Sequence, residues 1–441
     1  MKRHRVHLLA LVLALALSLV AAGCGGGDDD EEGTGGTATA EETVEEAVSG
    51  SINVLAVWTG AEGEAFQAVL DGFTEQNPDV TVSYKSAKDP GQVLATSVEG
   101  GNPPDVAALP SPGLMKDFAD RDALKPIDFA KDAIAENFAE SWLDLGTVDG
   151  TLYGVFFKGA NKSTVWYNVA AFADAGIEPP ATYDDLITAG ETLKASGVPA
   201  YSIGGADGWT LTDLFENIYL RTAGPEKYDQ LAAHEIAWTD ASVTDALTEM
   251  GKIVGDTDNV AGGTSGALQT DFPTSVTQVY SDPPKAAMVF EGDFVAGVIT
   301  AETTAEPQTG FDVFAFPELN DSGPVVVGGG DVVVMFKDNP AAQALITYLT
   351  TPEAAQIWAE KGGFSSPNKN VDSAVYPDEI TKKTATDLAN AEVFRFDLSD
   401  LQPAAFGGDA MFTILQDFLK SPDDVDGAAQ KLEAAAAAAF K

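Results

Sequence analysis

Apolar and polar positions follow two different periods along the chain beyond residue 50. Residues 52–58 form a short apolar run and residues 80–84 alternate between apolar and polar, two patterns typical of strands. Residues 64–76 and 92–99 place apolar side chains at helical spacing, and residues 105–109 predict another strand. This alternation predicts a parallel sheet with helices on both faces, whose ligands bind beyond the carboxyl ends of the strands.

The same kinds of pattern continue through the later part of the chain. Residues 183–196 predict an amphipathic helix, and residues 286–290 a buried strand that ends in an acidic turn. Three glycines and Asp331 separate two predicted valine-rich strands, at 325–327 and 332–336. About 390 residues beyond the N-terminal region exceed what one hydrophobic core supports, so we expect two lobes.

The first residues indicate export. Three basic residues stand among the first five and residues 8–20 are apolar and uncharged, so residues 1–23 are interpreted as a secretory signal peptide. Small residues then lead into Cys24, a pattern that resembles the bacterial lipobox; the alternative is a plain signal peptide with a cysteine at its cleavage site. We expect an extracytoplasmic protein, attached to the outer face of the cell membrane by a lipid on Cys24.

Charge narrows the choice of partners. The chain has 25 Lys and Arg against 68 Asp and Glu, a net charge of −43, which repels nucleic acid and anionic lipid head groups. Residues 24–50 are acidic and lack aromatic side chains, so they predict a flexible linker between the lipid and the folded part. No nucleic-acid partner is expected.

Few residues suit covalent catalysis or metal binding. The chain has one cysteine, Cys24, and three histidines, of which only His234 lies beyond the predicted signal peptide. Nucleophiles that need a histidine, and His/Cys metal sites, are therefore excluded. The glycines before Asp331 lack the lysine of a phosphate loop. No cofactor or metal is expected, although an oxygen-ligated Ca²⁺ stays open.

Four stretches carry a resemblance to a known family. They are residues 57–63, 150–156 with 165–168, 286–293, and 348–368, in this order along the chain. Together they resemble the extracellular solute-binding proteins of carbohydrate ABC importers, the maltose-binding-like group and especially its α-glucoside branch. The sequence departs from the maltose binders at Lys162, where they place an acid.

The resemblance implies a two-lobed α/β fold of the periplasmic-binding-protein type, with largely parallel sheets flanked by helices and hinge crossings between the lobes. Lobe one would comprise residues 51–158 plus 328–370, and lobe two residues 159–327 plus 371–441. It also implies a monomeric receptor, not an enzyme, that captures a neutral sugar such as an α-glucoside or a similar oligosaccharide and delivers it to ABC permease subunits.

Sugar binding needs aromatic faces for C–H patches and acceptors for hydroxyl groups. Trp58 follows a strand and Trp209 stands in a glycine-rich loop; Glu291 and Asp293 follow another strand. The alternative reading makes Trp58 a core residue and the two acids helix caps. The candidate ligand-binding residues are Trp58, Thr59, Glu62, Ser111, Tyr153, Lys158, Trp209, Glu291, Asp293, Phe294, Gly329, Asp331, Asp397 and Phe412.

Two other functions fit the same residue types. A binding protein for polyamines or other small solutes also uses acids with aromatic side chains, because both attract cations. A secreted glycoside hydrolase needs aromatic platforms and a pair of carboxylates about 5 to 10 Å apart. The sequence isolates no such pair from its general excess of acids.

Overall fold

The computed structural model describes residues 48–389, 391 and 393–440. The predicted signal peptide, Cys24 and nearly all of the predicted linker lie outside this part of the chain. Within the described residues, no helix combines the length and the apolar character needed to cross a membrane.

The strands of the described part are short, apart from two longer ones that pair with each other. They are β1 (Gly50–Ala56), β2 (Val80–Ser86), β3 (Val106–Leu109), β4 (Thr147–Val148), β5 (Thr151–Leu152), β6 (Gly154–Asn161), β7 (Thr164–Asn168), β8 (Tyr201–Ser202), β9 (Met288–Phe290), β10 (Phe311–Ala315), β11 (Val325–Met335) and β12 (Val393–Phe396).

Many of the helices begin at a capping side chain followed by proline, a strong start signal. They are α1 (Gly60–Gln76), α2 (Pro90–Glu99), α3 (Pro112–Ala119), α4 (Lys131–Asn137), α5 (Glu140–Leu145), α6 (Val169–Ala175), α7 (Tyr183–Ser196), α8 (Trp209–Ala223), α9 (Pro225–Ala232), α10 (Ala241–Val254), α11 (Gly263–Ala267), α12 (Phe272–Val279), α13 (Val295–Glu302), α14 (Pro340–Leu349), α15 (Pro352–Ala359), α16 (Glu379–Ala389), α17 (Leu398–Leu401), α18 (Met411–Lys420) and α19 (Val425–Ala439).

The larger sheet has the strand order β12-β11-β3-β1-β2, with β6 paired to β11. Its strands bury both faces: Val54 and Ala56 of β1 enter one apolar cluster, while Leu55 between them enters the cluster on the opposite face. A strand buried on both faces is what a sheet covered by helices requires. The parallel pairs β1–β2 and β1–β3 match the predicted alternation.

The smaller sheet has the order β10-β7-β9-β8 and is also covered on both faces. The α/β two-lobed class is thus confirmed, but this sheet is mixed: β7 pairs antiparallel with both β10 and β9, and only β8–β9 is parallel. The larger sheet is mixed as well, because β11 pairs antiparallel with both β3 and β6, so the expectation of largely parallel sheets holds only in part. The lobe boundaries stay a prediction.

The three glycines before Asp331 do not form a loop. Residues 328–330 lie inside β11, paired with β6, and the register shifts between Asp331 and Val332. The two valine-rich strands of the sequence are therefore one strand, and the irregularity sits at the acid. The extra residue is Phe157 on β6, which has no partner in β11, and Asp331 pairs directly with Lys158 of the cluster described next.

Candidate functional site

Lys158, on β6, lies at the centre of a first group of charged and aromatic side chains, the Lys158 cluster. Its Nζ donates to Oε1 of Glu62 at 2.5 Å and lies 3.8 Å from Oδ2 of Asp331. The same Asp331 oxygen accepts a 2.5 Å hydrogen bond from Nε1 of Trp58. Burial lowers the pKa of Lys158, but Glu62 and Asp331 outweigh it and raise the pKa overall. The ammonium therefore stays charged.

Aromatic rings enclose the same ammonium. Lys158 Nζ lies 5.0 Å from the centroid of the Phe294 ring and 5.9 Å from that of Trp358. The rings of Trp58 and Trp358 meet edge to face at 5.0 Å, and both side chains are buried. The cluster thus joins residues of α1, β6, β11, α15 and the start of α13, which are far apart in the sequence.

Asp293 is fully buried between the two sheets. One of its oxygens, Oδ2, accepts from the backbone N–H of Asn161 at 3.0 Å and from the hydroxyl of Ser365. The other oxygen, Oδ1, has no hydrogen-bond partner among the described residues. Burial raises the pKa of this carboxyl to about 6, although the two donors act against it. Asp293 therefore connects the end of β6 to the segment that contains Ser365, and it keeps one acceptor oxygen free.

Lys162, in the connection from β6 to β7, organises a second group, the Lys162 cluster. Its Nζ lies 3.1 Å from Oδ1 of Asp213, 3.9 Å from Asp400, and donates to Oδ2 of Asp397. Burial alone would raise the pKa of Asp397, but the charge of Lys162 and its hydrogen bond lower it to about 2. Lys162 and Asp397 thus form a buried ion pair.

Gly329 makes room for this lysine. A Cβ atom at residue 329 would come within 2.8 Å of Cε of Lys162, so a side chain there would displace the ammonium. Asp397 is the N-cap of α17, and its Oδ1 accepts from Ser399 Oγ at 2.8 Å and from the N–H of Asp400 at 3.0 Å. The capping role of Asp397 therefore coexists with its ion pair to Lys162.

Glu291 differs from its neighbours because neither of its carboxylate oxygens has a hydrogen-bond partner among the described residues. The side chain is only 2% exposed. It lies within hydrogen-bonding reach of Asp213, whose Oδ2 is also without a partner. Burial first, and then the charge of Asp213, raises the pKa of Glu291 well above its ordinary value. The unpartnered carboxyl group of Glu291 therefore faces a carboxyl group that has one free oxygen.

Trp209 begins α8 and is only partly buried. Its ring packs against Phe272 at 5.2 Å and against Phe294 at 5.9 Å, and Lys162 Nζ lies 5.9 Å from it. These rings link the two clusters. Phe412, on α18, lies next to Gly208, the residue before Trp209, because a Cβ atom at Gly208 would collide with the Phe412 side chain.

Three candidate residues lie outside both clusters. Ser111 caps α3, where its Oγ accepts from the N–H of Leu114 at 3.2 Å. Thr59 is the N-cap residue of α1 but its side chain makes no capping hydrogen bond. Tyr153 packs against the apolar cluster on one face of the larger sheet. Their assignment as ligand-binding residues stays a prediction.

Several residues of the site were not predicted. Lys162 was noted only as a departure from the maltose binders, and Trp358, Asp213 and Glu216 were not singled out as site residues. Glu216 accepts from the backbone N–H groups of two α17 residues, at 2.7 and 2.9 Å. The signal that could have found both acids is their place among the apolar residues Leu211, Leu214 and Phe215 of α8, a helix whose residues 210–221 are all buried.

Known binding proteins resemble this chain in sequence. Residues 58–356 match the model of a family described as bacterial extracellular solute-binding protein. The chain is 35% identical over 379 residues to the osmoprotective compounds-binding protein GgtB of Synechocystis sp., covering 84% of this chain and 89% of that one. It is also 35% identical over 396 residues to the alpha-glucosides-binding periplasmic protein AglE of Rhizobium meliloti, covering 86% of each.

Solved structures share the fold. The bacterial solute receptor AcbH, described as having an exclusive preference for β-D-galactopyranose, superposes with a TM-score of 0.79 at 21% identity and covers 89% of this chain and 99% of its own. At this identity the likeness concerns the fold alone.

Proposed function

This chain belongs to the bacterial extracellular solute-binding proteins, and we propose that it is the receptor of an ABC importer that captures a neutral sugar, an α-glucoside or a similar oligosaccharide. The relative AglE, whose name states that it binds alpha-glucosides, supports this ligand class. The ligand would be held between the two lobes and passed to the permease subunits. Its relatives are binding proteins, so no covalent step is required of the site.

The main support for a sugar ligand is that the free polar atoms of the site are carboxylate oxygens next to aromatic rings. Asp213, Glu291 and Asp293 are buried and each keeps at least one oxygen without a partner among the described residues. Asp213 lies one helical turn after Trp209 on α8, Asp293 directly precedes Phe294, and the rings of Trp209 and Phe294 pack against each other. Hydroxyl groups supply the missing hydrogens, and the apolar faces of a sugar ring stack on aromatic side chains.

The two lysines argue for a neutral ligand over a polyamine. Lys158 and Lys162 already occupy oxygens of Glu62, Asp331, Asp213 and Asp397. A ligand ammonium entering either cluster would meet a fixed ammonium within a few ångströms, which is repulsive in a buried site. A hydroxyl is not repelled, because it accepts from an ammonium and donates to a carboxylate.

A smaller neutral compatible solute is a second candidate ligand. The relative GgtB is as similar as AglE, and its name states that it binds osmoprotective compounds. A glucoside and a glucoside-type compatible solute both carry hydroxyl groups and no net charge. The same polar atoms of the site would therefore bind either of them. The size of the ligand separates the two.

The N-terminal region completes the proposed function. Cleavage before Cys24 and lipidation of its thiol would attach the protein to the outer face of the cell membrane. The acidic residues 24–50 would let the folded part move above the membrane as a monomer. The support for this part is the sequence pattern and the membership of an extracellular family.

Isothermal titration calorimetry with purified protein tests the ligand class. We expect heat from maltose, trehalose or larger α-glucosides, and none from spermidine. A response to spermidine with silent sugars would overturn the proposal. Hydrolysis of a glycoside that is lost when one buried acid is mutated would move the protein to the glycoside hydrolases.

A further inference from the structure

The buried acids of the Lys162 cluster outnumber the cations that face them. Asp213, Glu291, Asp397 and Asp400 converge on Lys162, and Glu216 adds a fifth carboxyl on α8. Five carboxylates with one ammonium in a desolvated site would carry a large uncompensated charge. Protons or a bound cation must therefore balance part of it.

A metal ion fits the oxygens poorly. The carboxylates of Asp213, Glu216 and Asp397 lie close enough together to suggest a cation site. However, Glu216 accepts from two backbone N–H groups, and Asp397 accepts from Lys162, Ser399 and a backbone N–H. Calcium and similar cations need six or more oxygens, whereas the buried oxygens of this cluster that lack a donor among the described residues belong to Asp213 and Glu291 only. The ammonium of Lys162 already occupies the position between these carboxylates that a metal ion would need.

The free oxygens instead point to a proton. Glu291 and Asp213 are each 2% exposed, lie within hydrogen-bonding reach, and have three oxygens between them without a donor among the described residues. Two ionised carboxylates at this distance repel each other, and a single proton converts the repulsion into a hydrogen bond. Burial raises the pKa of Asp213 to about 7 although Lys162 lowers it, and that of Glu291 well above its ordinary value.

The two members of the pair have different surroundings. Asp213 faces Lys162 directly at 3.1 Å, so its charge is partly compensated, although the neighbouring charge of Asp397 acts against this. Glu291 has no cation within salt-bridge distance among the described residues. The proton therefore resides on the Glu291 side, and the negative charge on Asp213.

We propose that Glu291 and Asp213 share one proton, and that Glu291 presents a neutral carboxyl group that donates a hydrogen bond to an oxygen of the ligand. The second half rests on the proposed function, whereas the shared proton exists in the unliganded protein. The pair then selects a ligand that offers an acceptor at one oxygen and hydroxyl donors beside it. Such a pattern occurs where a ring or glycosidic oxygen adjoins a hydroxyl group.

Infrared difference spectroscopy of unliganded protein near neutral pH tests the proton directly. Subtracting the spectrum of E291Q from that of the wild type should leave the carbonyl band of a protonated carboxylic acid. The control is D229N, which changes an exposed acid paired with Arg395. Subtracting its spectrum from that of the wild type should leave no such band. Absence of the band in the wild-type minus E291Q spectrum would overturn the proposal, whatever the protein binds.

Ligand affinity tests the donor role once a ligand is known. E291Q, which keeps a neutral donor, should bind within about threefold of the wild type, and E291A should bind roughly tenfold or more weakly because a hydrogen bond is lost. Equal loss in both variants would show that Glu291 acts as an ionised acceptor. If no sugar binds while the infrared band is present, the proposed function fails and the shared proton stands.

Discussion

Gly329 lies against the side chain of Lys162, so closely that a Cβ atom at residue 329 would stand 2.8 Å from Cε of the lysine. The lysine end is flexible, so the chain can relieve this contact by moving the ammonium. We expect G329A to lower the affinity for ligand about tenfold while changing the free energy of unfolding by less than about 1 kcal/mol. Calorimetry and denaturant unfolding measure the two effects.

The control for this variant is G408A, because a Cβ at Gly408 meets no atom within 4 Å. It should match the wild type in affinity. A G329A protein that binds as tightly as G408A would show that the position of Lys162 is unimportant for the ligand.

Trp209 and Trp358 should separate binding from stability. Trp209 is partly buried, and its loss should weaken ligand binding roughly tenfold or more with a small effect on the thermal midpoint of the unliganded protein. Trp358 is 1% exposed and packs against four other rings, so W358A should cost about 3–5 kcal/mol of unfolding free energy. A large loss of stability in W209A would show that Trp209 is a core residue and not a ligand-binding residue.

Lys162 should carry a pH-dependent share of stability. Removing it in K162M leaves Asp397 buried without its cation, which should cost about 3–5 kcal/mol near neutral pH. The folded-state pKa of Asp397 is lowered to about 2 from an ordinary 3.8, so the stabilisation is present above that ordinary value and is lost as the pH falls toward 2. Urea unfolding at a series of pH values should show the two proteins converging in acid.

The matched control is K116M, which breaks an exposed pair with Asp120. It should cost less than about 1 kcal/mol at every pH. A K162M protein that resembles K116M would mean that the buried pair contributes no net stability.

Cys24 should decide where the protein is found. C24A should be released from cells into the medium, because a thiol is needed to accept the lipid, while its affinity for ligand should equal that of the wild type. Cell fractionation with immunoblotting and calorimetry measure the two properties. Retention of C24A at the membrane would contradict the proposed anchor.

The local pattern was sufficient for most elements. The helix at Tyr183–Ser196 matches the predicted bounds, since Thr182 caps its start and Gly197, in the left-handed conformation, ends it. The glycine-rich residues 328–330 were misplaced, because glycine is typical of turns but here lies in a strand. Its small size serves the approach of Lys162, which no local pattern reveals.

The sequence by itself determined the α/β character, the two lobes, and the strand ends at which Trp58, Glu291 and Asp293 stand, because burial with period two or 3.6 is a local property. Only the tertiary structure decided which polar side chains meet. Lys162 reaches Asp213 across 51 residues and Asp397 across 235, and Glu291 is left without a partner among the described residues. These pairings depend on how distant strands and crossings converge, and that convergence is set by long-range packing of the two sheets rather than by neighbouring residues.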